Sequence, residues 1–171
     1  MRVLALGGSG GMGRYAVQSL YQHPKIKKIY VADINADAAK DFSLSFSDKV
    51  EGIGLDVTKH ESLLEVMSKV DIVVNTTGPF FKFAELILRA SIEANCHYFD
   101  ICDDWEPTEK MFLLDDQAKN AGITAILGLC ASPGLTNILA YMAMLELEDI
   151  SKVYTGWDMP SAKPEPISSQ K

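Results

Sequence analysis

Apolar and polar positions along the chain follow two alternating patterns. Short apolar runs rich in β-branched residues predict strands, and longer stretches with apolar residues every three or four positions predict helices. The six predicted strands are Arg2–Leu6, Lys28–Ala32, Gly52–Leu55, Ile72–Asn75, Tyr98–Ile101 and Thr124–Leu127. The helices predicted between them are Met12–Tyr21, Ala36–Phe46, Lys59–Lys69, Phe83–Ala94 and Thr108–Ala121.

This alternation is typical of an α/β fold with a parallel sheet. Right-handed crossovers place helices on both faces, which gives a Rossmann-type doubly wound sheet. Asn35 and Thr58 are predicted to cap the helices that follow them, and Gly122 to stop the fifth helix. Because ligands of such sheets bind at the carboxyl ends of the strands, functional residues are expected just after each strand.

A glycine-rich loop follows the first strand and opens the first helix. It consists of Gly7, Gly8, Ser9, Gly10, Gly11, Met12 and Gly13. Gly8 permits a sharp turn, Gly10 leaves room for a pyrophosphate, and Gly13 lets the helix lie close to the sheet. Free amides at the start of the helix then face the phosphates. The loop predicts a dinucleotide site; the alternative is a glycine-rich turn that binds nothing.

Asp33 indicates which dinucleotide is preferred. It lies 20 residues after Gly13, where a carboxylate accepts hydrogen bonds from the adenosine ribose hydroxyls, so NAD is predicted. NADP is disfavoured but not excluded: the next residues, beginning with Ile34, offer no cation, although Arg14 or Lys40 can fold toward a 2′-phosphate. The alternative role for Asp33 is a solvated acid that caps the next helix.

Two further segments are predicted to line the same crevice. Asp56 and Val57 follow the third strand and are expected to hold the adenine, with helix capping as an equally good explanation of Asp56. Small and hydroxyl-bearing residues follow the fourth strand, where the pyrophosphate and the nicotinamide ribose should pass. These residues are Thr76, Thr77, Gly78 and Pro79.

The chain is predicted to divide near residue 134. Residues 1–134 hold all six strands and are assigned to an NAD(P)-binding domain. Residues 135–171 are interpreted as the start of a truncated or missing substrate or dimerisation domain. They begin with an apolar helix, Leu135–Leu147, and a strand, Lys152–Trp157. The tail 160–171 is too poor in apolar residues to order itself and is predicted to be disordered.

Four segments together resemble the saccharopine dehydrogenase family, specifically its NAD(P)-binding domain. They are the loop Gly7–Gly13 and the segments 75–80, 97–100 and 128–137. The resemblance implies reversible hydride transfer at a carbon–nitrogen bond of an amino acid or its imine adduct, and a second domain. The full-length protein is expected to be a homodimer. One departure is Ser132 before Pro133-Gly134, where members acting on saccharopine tend to have an acid. Saccharopine itself is therefore not assigned as the substrate.

Hydride transfer to an imine also needs a group that manages the proton on nitrogen. Asp103 is the first candidate, with Cys102 and Ser132 beside it, because all three follow the fifth or sixth strand. The alternatives are a solvated loop that caps the helix near Thr108 and cysteines that fill small gaps in the core. The three histidines, His23, His60 and His97, are assigned structural or surface roles.

The amino-acid composition limits which binding partners and which cellular location are expected. With 16 basic and 23 acidic residues the net charge is −7, which disfavours nucleic acid. Neither a signal peptide nor a membrane span is predicted from the sequence, and three cysteines without a Cys-x-x-Cys pair favour the cytoplasm and no metal. A small amino-acid-like molecule is the expected substrate.

Two other functions remain open on the sequence. The first is a dinucleotide-binding module that acts as a sensor or scaffold without catalysis. The second is different Rossmann chemistry, such as nucleotide-sugar or short-chain alcohol oxidation, because a fold does not fix a function.

Overall fold

The computed structural model describes residues 1–156 of the chain. Its strands are β1 (Arg2–Leu6), β2 (Lys28–Asp33), β3 (Val50–Gly54), β4 (Ile72–Asn75), β5 (His97–Asp100) and β6 (Ala125–Ile126). Its helices are α1 (Gly11–Gln22), α2 (Ala36–Ser43), α3 (His60–Met67), α4 (Phe80–Glu93), α5 (Trp105–Phe112), α6 (Asp115–Asn120) and α7 (Leu135–Met144).

The six strands form one parallel sheet in the order β3-β2-β1-β4-β5-β6. The chain moves from β1 outward to β3, returns to place β4 beside β1, and continues to the other edge. This reversal puts a crevice between β1 and β4 at the carboxyl ends of the strands. The predicted Rossmann-type doubly wound sheet is confirmed.

The central strand β1 is buried on both faces. Val3 and Ala5 pack with residues of α1 and α2, whereas Leu4 and Leu6 pack with residues of α3 and α4. All four side chains are at most 2% exposed. A continuous apolar run is what a central parallel strand requires, because helices cover both of its faces. The loop that follows β1 therefore starts from a rigid, fully packed strand.

The fifth predicted helix is wrong in two respects. It is two helices, α5 and α6, and α5 begins at Trp105 rather than at Thr108. Pro107 therefore lies in the first turn, where its missing N–H costs no helical hydrogen bond. Similarly, α4 begins at Phe80, directly after Pro79, rather than at Phe83. Other boundaries shift by a few residues, as is usual at element ends.

The two predicted helix caps have different outcomes. The Asn35 side chain accepts a hydrogen bond from the Ala38 amide at 3.1 Å, so this cap is confirmed. Thr58 was the wrong residue, since the N-cap of α3 is Lys59 and the Thr58 hydroxyl donates instead to the Asp56 carboxylate. Gly122 has a φ of +70°, which suits a residue that ends a helix, and it follows Ala121, the C-cap of α6.

The carboxyl-terminal part differs from its prediction. Helix α7 ends at Met144 rather than at Leu147, and none of its residues is buried. Residues 152–156 do not form the predicted strand, and Trp157 and the tail 160–171 lie outside the described residues. The domain division near residue 134 stays a prediction. Within residues 1–156, no helix combines the length and apolar character needed to span a bilayer.

Candidate dinucleotide-binding site

The loop between β1 and α1 is fixed by the neighbouring strand. The amides of Gly7 and Gly8 both donate to the Ala32 carbonyl, at 2.9 and 3.3 Å, and Gly7 has a φ of +66°. Helix α1 then begins at Gly11, with Gly10 at the N-cap and no side-chain cap. The first amides of α1 are thus left to bind a group in the crevice, and a helix N-terminus favours an anion there.

The three motif glycines are required for different reasons. A Cβ on Gly13 would overlap the Gly7 carbonyl oxygen and lie 2.6 Å from the Gly8 Cα, and a Cβ on Gly8 would lie 2.8 Å from the Ala5 carbonyl oxygen. These two glycines therefore allow the backbone to pack. Gly10 has a φ of −75°, and a Cβ there would meet only the Gly7 oxygen, at 3.2 Å. A side chain at Gly10 would require the backbone to shift by only a few tenths of an ångström, so packing constrains this glycine much less than Gly8 or Gly13 and leaves room for a ligand as its role.

The opposite wall of the crevice follows β4. The Thr76 hydroxyl lies 2.8 Å from the Leu6 carbonyl oxygen and 3.2 Å from that of Gly7, which ties this wall to the glycine loop. The neighbouring Thr77 hydroxyl is buried and has no hydrogen-bond partner within the described part of the chain. A buried hydroxyl without a partner is costly. A hydroxyl or phosphate oxygen of a bound dinucleotide would satisfy it, so the site fits this cofactor.

Asp33 faces the glycine loop. Its Oδ2 accepts a hydrogen bond from the Ser9 hydroxyl at 2.6 Å, and its Oδ1 accepts one from the Asn35 amide at 3.1 Å. The residue that caps α2 is Asn35, not Asp33. A carboxylate has about four lone-pair positions, so Asp33 can still accept bonds from ribose hydroxyls. Its predicted place at the ribose end of the crevice is consistent with this arrangement.

The residues predicted at the adenine end have mixed environments. Asp56 accepts two bonds from Thr58, which lower the pKa of its carboxyl and form a local turn before α3. Val57 is 8% exposed and belongs to the core, whereas Ile34 is 79% exposed beside Asp33. Ile34 is thus the accessible apolar side chain here. Contact of Asp56 or Val57 with adenine stays a prediction.

A buried hydrogen-bond network that sequence analysis missed joins the ends of β4, β5 and β6. The Asn75 amide donates to the Tyr98 hydroxyl at 3.0 Å, and that hydroxyl donates to Asp100 Oδ2 at 2.9 Å. Asp100 Oδ1 accepts bonds from the amides of Cys102 and Gly128, at 3.1 and 2.7 Å. The signal in the sequence was a polar residue at the end of each of two apolar strands.

This hydrogen-bond network also reaches the wall of the crevice after β4, because Asn75 Oδ1 accepts a bond from the Thr77 amide at 2.9 Å. Asp100 is 1% exposed, and burial raises the pKa of its carboxyl, against the lowering effect of its three hydrogen bonds. Burial also raises the pKa of Tyr98 well above its ordinary value, so its hydroxyl stays protonated. Thr77 and the loops after β5 and β6 are thereby held by one network.

We expect the stability of the protein to fall as pH rises through the raised pKa of Asp100. The carboxyl of Asp100 binds its proton more tightly in the folded protein than in the unfolded chain, where its pKa is about 3.9. Its protonation therefore contributes fully to folding stability below that unfolded pKa. The contribution is lost as pH rises through the folded pKa. Urea unfolding of the wild type and of Asp100→Asn at several pH values measures this. The free-energy difference should move in favour of the variant as pH rises; a difference as constant as that for exposed Glu109→Gln would contradict the expectation.

The predicted acid–base candidates differ in their environments. Asp103 is exposed, and Ser132 is half-buried in the loop that leads to α7. Cys102 is 1% exposed, donates to the Asp104 carbonyl and accepts from Thr108, and burial raises the pKa of its thiol. A buried thiol with a raised pKa is inert, which agrees better with a packing role than with catalysis. No assignment of a catalytic group is tested by this geometry.

Three other polar residues, Asp104, His97 and His60, make contacts that stabilise the fold. Asp104 accepts a bond from the Phe81 amide at 3.1 Å, in the first turn of α4. His97 begins β5, so it lies at the amino-terminal ends of the strands, away from the crevice, and it accepts a bond from the Thr124 amide. His60 lies 3.1 Å from the Glu93 carboxylate on the surface. Among the described residues, no group of three or more His, Cys, Asp or Glu is arranged to hold a metal ion.

The glycine loop lies where the strand order reverses, between β1 and β4, and helix α1 begins there without a side-chain cap. The wall after β4 contributes the buried Thr77 hydroxyl. Together these features define a Rossmann-type dinucleotide-binding domain. The model of the saccharopine dehydrogenase NADP binding domain matches residues 3–126. The chain belongs to this family and is an NAD(P)-binding module of the oxidoreductase type. The predicted family and cofactor class are thus confirmed, whereas the preference for NAD over NADP stays a prediction.

Relatives agree with this assignment. Alpha-aminoadipic semialdehyde synthase of Arabidopsis thaliana is 32% identical over 124 residues, which are 72% of this chain and 11% of that protein. Apo saccharopine dehydrogenase (L-Glu forming) of Saccharomyces cerevisiae superposes with a TM-score of 0.73 at 22% identity, covering 85% of this chain and 31% of that one. AtPrR2 with NADP+ and (+)pinoresinol has a TM-score of 0.52 at 22% identity, over 75% and 50% of the two chains. The chain therefore spans a small part of its relatives.

Proposed function

We propose that this domain is the cofactor-binding portion of an NAD(P)-dependent oxidoreductase. The reaction is a reversible hydride transfer at a carbon–nitrogen bond of an amino acid or its imine adduct. The names of the relatives, a saccharopine dehydrogenase and an aminoadipic semialdehyde synthase, support an amino-acid-like substrate. The observation that carries the proposal is the buried Thr77 hydroxyl, which has no hydrogen-bond partner within residues 1–156 and lies in the wall beside the glycine loop that contains Gly10.

The cofactor is bound by the loop Gly7–Gly13, by Asp33 and by the wall Thr76–Pro79. When bound, the nicotinamide supplies hydride chemistry and leaves the protein to orient the substrate and move a proton. Asp103 is the proposed proton carrier and Ser132 a polar neighbour. Both lie in loops tied by Asp100 to the edge of the sheet that holds Thr77. Cys102 is not included because it is buried.

The rest of the proposal concerns the remaining protein. Residues 135–171 lead into a substrate or dimerisation domain, and we assign the complete protein to a homodimer. Support comes from α7, where the apolar side chains of Leu139, Tyr141 and Met142 are each more than half exposed. Cysteines 96, 102 and 130 are all free thiols, which supports a cytoplasmic location.

A spectrophotometric screen of the full-length protein tests the reaction. Amino acids are offered with NAD or NADP, and imine adducts of amino acids with a keto or aldehyde acid are offered with the reduced cofactors. We expect cofactor reduction with at least one amino-acid-like substrate, and the Gly10→Val variant provides the control for binding at this site. Tight cofactor binding without turnover of any amine or imine would instead identify a non-catalytic module.

A further inference from the structure

Asp33 alone does not set the charge at the ribose end of the crevice. Its carboxylate is held by Ser9 and Asn35 at 2.6 and 3.1 Å, so its negative charge stays where the 2′ position of the adenosine ribose would lie. An isolated carboxylate there would repel the 2′-phosphate of NADP. The residues that surround this pair therefore decide whether both cofactors bind.

Arg14 is anchored next to this pair. Its Nε donates to the Ser9 carbonyl oxygen at 2.6 Å, and its guanidinium carbon lies 5.2 Å from the centroid of the Phe42 ring on α2. One contact is a charge-assisted hydrogen bond and the other a cation–π interaction, and together they fix the orientation of the guanidinium plane. Ser9 thus contacts Asp33 through its hydroxyl and Arg14 through its carbonyl.

The outer part of the guanidinium is available for a ligand. Arg14 is exposed, and within residues 1–156 its two terminal nitrogens make neither a hydrogen bond nor an ion pair. Asp33 in particular does not form an ion pair with it. A planar fork of N–H donors matches two oxygens of a phosphate, which a lysine ammonium cannot do. The positive charge therefore lies next to Ser9, the residue that donates to Asp33, and has no ion-pair partner among the described residues.

We propose that Arg14 is the residue that lets this site accept the 2′-phosphate of NADP, so that the domain binds both dinucleotides. The proposal rests on the cofactor site described above. Arg14 offsets the repulsion from Asp33 by binding the phosphate oxygens, whereas the ribose hydroxyls of NAD bind Asp33 and need no contribution from Arg14. NAD affinity is thus set by Asp33, and NADP affinity by Asp33 and Arg14 together.

Lys40 provides a matched control. It carries the same charge, lies on α2 two residues before Phe42 and is exposed, but within the described residues its side chain makes no hydrogen bond or ion pair with Ser9 or Asp33. Lys40→Met changes the net charge by the same amount as Arg14→Met. A general effect of protein charge on an anionic ligand would therefore appear in both variants, and a local effect in one.

The experiment is a titration of wild type, Arg14→Met, Arg14→Lys and Lys40→Met with NAD and with NADP, each followed by calorimetry at low and at physiological salt. Arg14→Met should weaken NADP binding by about tenfold or more, and NAD binding by less than about twofold. Arg14→Lys should recover part of the NADP affinity and show a steeper salt dependence, because a point charge replaces the fork.

Several outcomes would overturn the proposal. They are NADP affinity unchanged in Arg14→Met, an equal loss for both dinucleotides, a larger loss in Lys40→Met, or no NADP binding by the wild type while NAD binds. An equal loss would mean that Arg14 only supports the glycine loop through Ser9. Failure of the wild type to bind either dinucleotide would reject the cofactor site itself, and this result is distinct from the others.

Discussion

Replacing Gly10 by valine should reduce the affinity for NAD by about 100-fold or more, and leave the fold intact. Gly10 has an ordinary φ of −75°, and a Cβ there meets only the Gly7 oxygen, at 3.2 Å, so the backbone accommodates a side chain after a shift of a few tenths of an ångström. The valine methyl groups would instead occupy the space that the pyrophosphate needs. Calorimetric titration with NAD measures the loss, and thermal unfolding of the same sample measures the fold.

Gly13→Ala serves as the contrasting variant. A Cβ at Gly13 would overlap the Gly7 carbonyl oxygen and lie 2.8 Å from the Thr76 hydroxyl. This substitution should lower the melting temperature markedly, because the backbone itself must move. If Gly10→Val destabilised the protein as much as Gly13→Ala, or bound NAD with wild-type affinity, the assignment of Gly10 to the pyrophosphate would be wrong.

Asp100→Ala should lower the free energy of unfolding by about 3 kcal/mol or more. The substitution removes the acceptor for the amides of Cys102 and Gly128 and for the Tyr98 hydroxyl, all of which are buried donors. This loss is a large fraction of the free energy of unfolding of a typical domain, which is roughly 5–15 kcal/mol. Relief of a buried carboxylate reduces the loss but does not supply new acceptors. Urea unfolding near neutral pH measures it.

Two controls make this prediction specific. Glu109→Gln, on the exposed surface of α5, should change stability by less than about 0.5 kcal/mol. Tyr98→Phe removes one donor of the network and keeps the ring in the core, so its loss should be smaller than that of Asp100→Ala. Hydrogen exchange of the Gly128 amide should accelerate in Asp100→Ala; unchanged protection there would show that Asp100 does not hold the loop after β6.

Sequence analysis located the cofactor site because its determinants are local. The residues of the loop Gly7–Gly13 are consecutive, and Asp33 ends the strand that pairs with β1, so spacing along the chain corresponds to position in space. The same reasoning failed at Pro107 and Thr58, where the first turn of a helix tolerates a proline and a threonine hydroxyl found a nearer acceptor. Local rules do not rank such competing partners.

By itself, the sequence determined the order of strands and helices, the parallel α/β class and the glycine loop, since each follows from periodicity or from the sterics of neighbouring residues. Only the tertiary structure decided that the buried Thr77 hydroxyl has no hydrogen-bond partner in the described part of the chain, that Asp100 joins β5 to the loop after β6, and that Arg14 is anchored beside Ser9. Burial and hydrogen bonding between distant segments depend on how the layers pack, and no pattern along the chain encodes a distance between them.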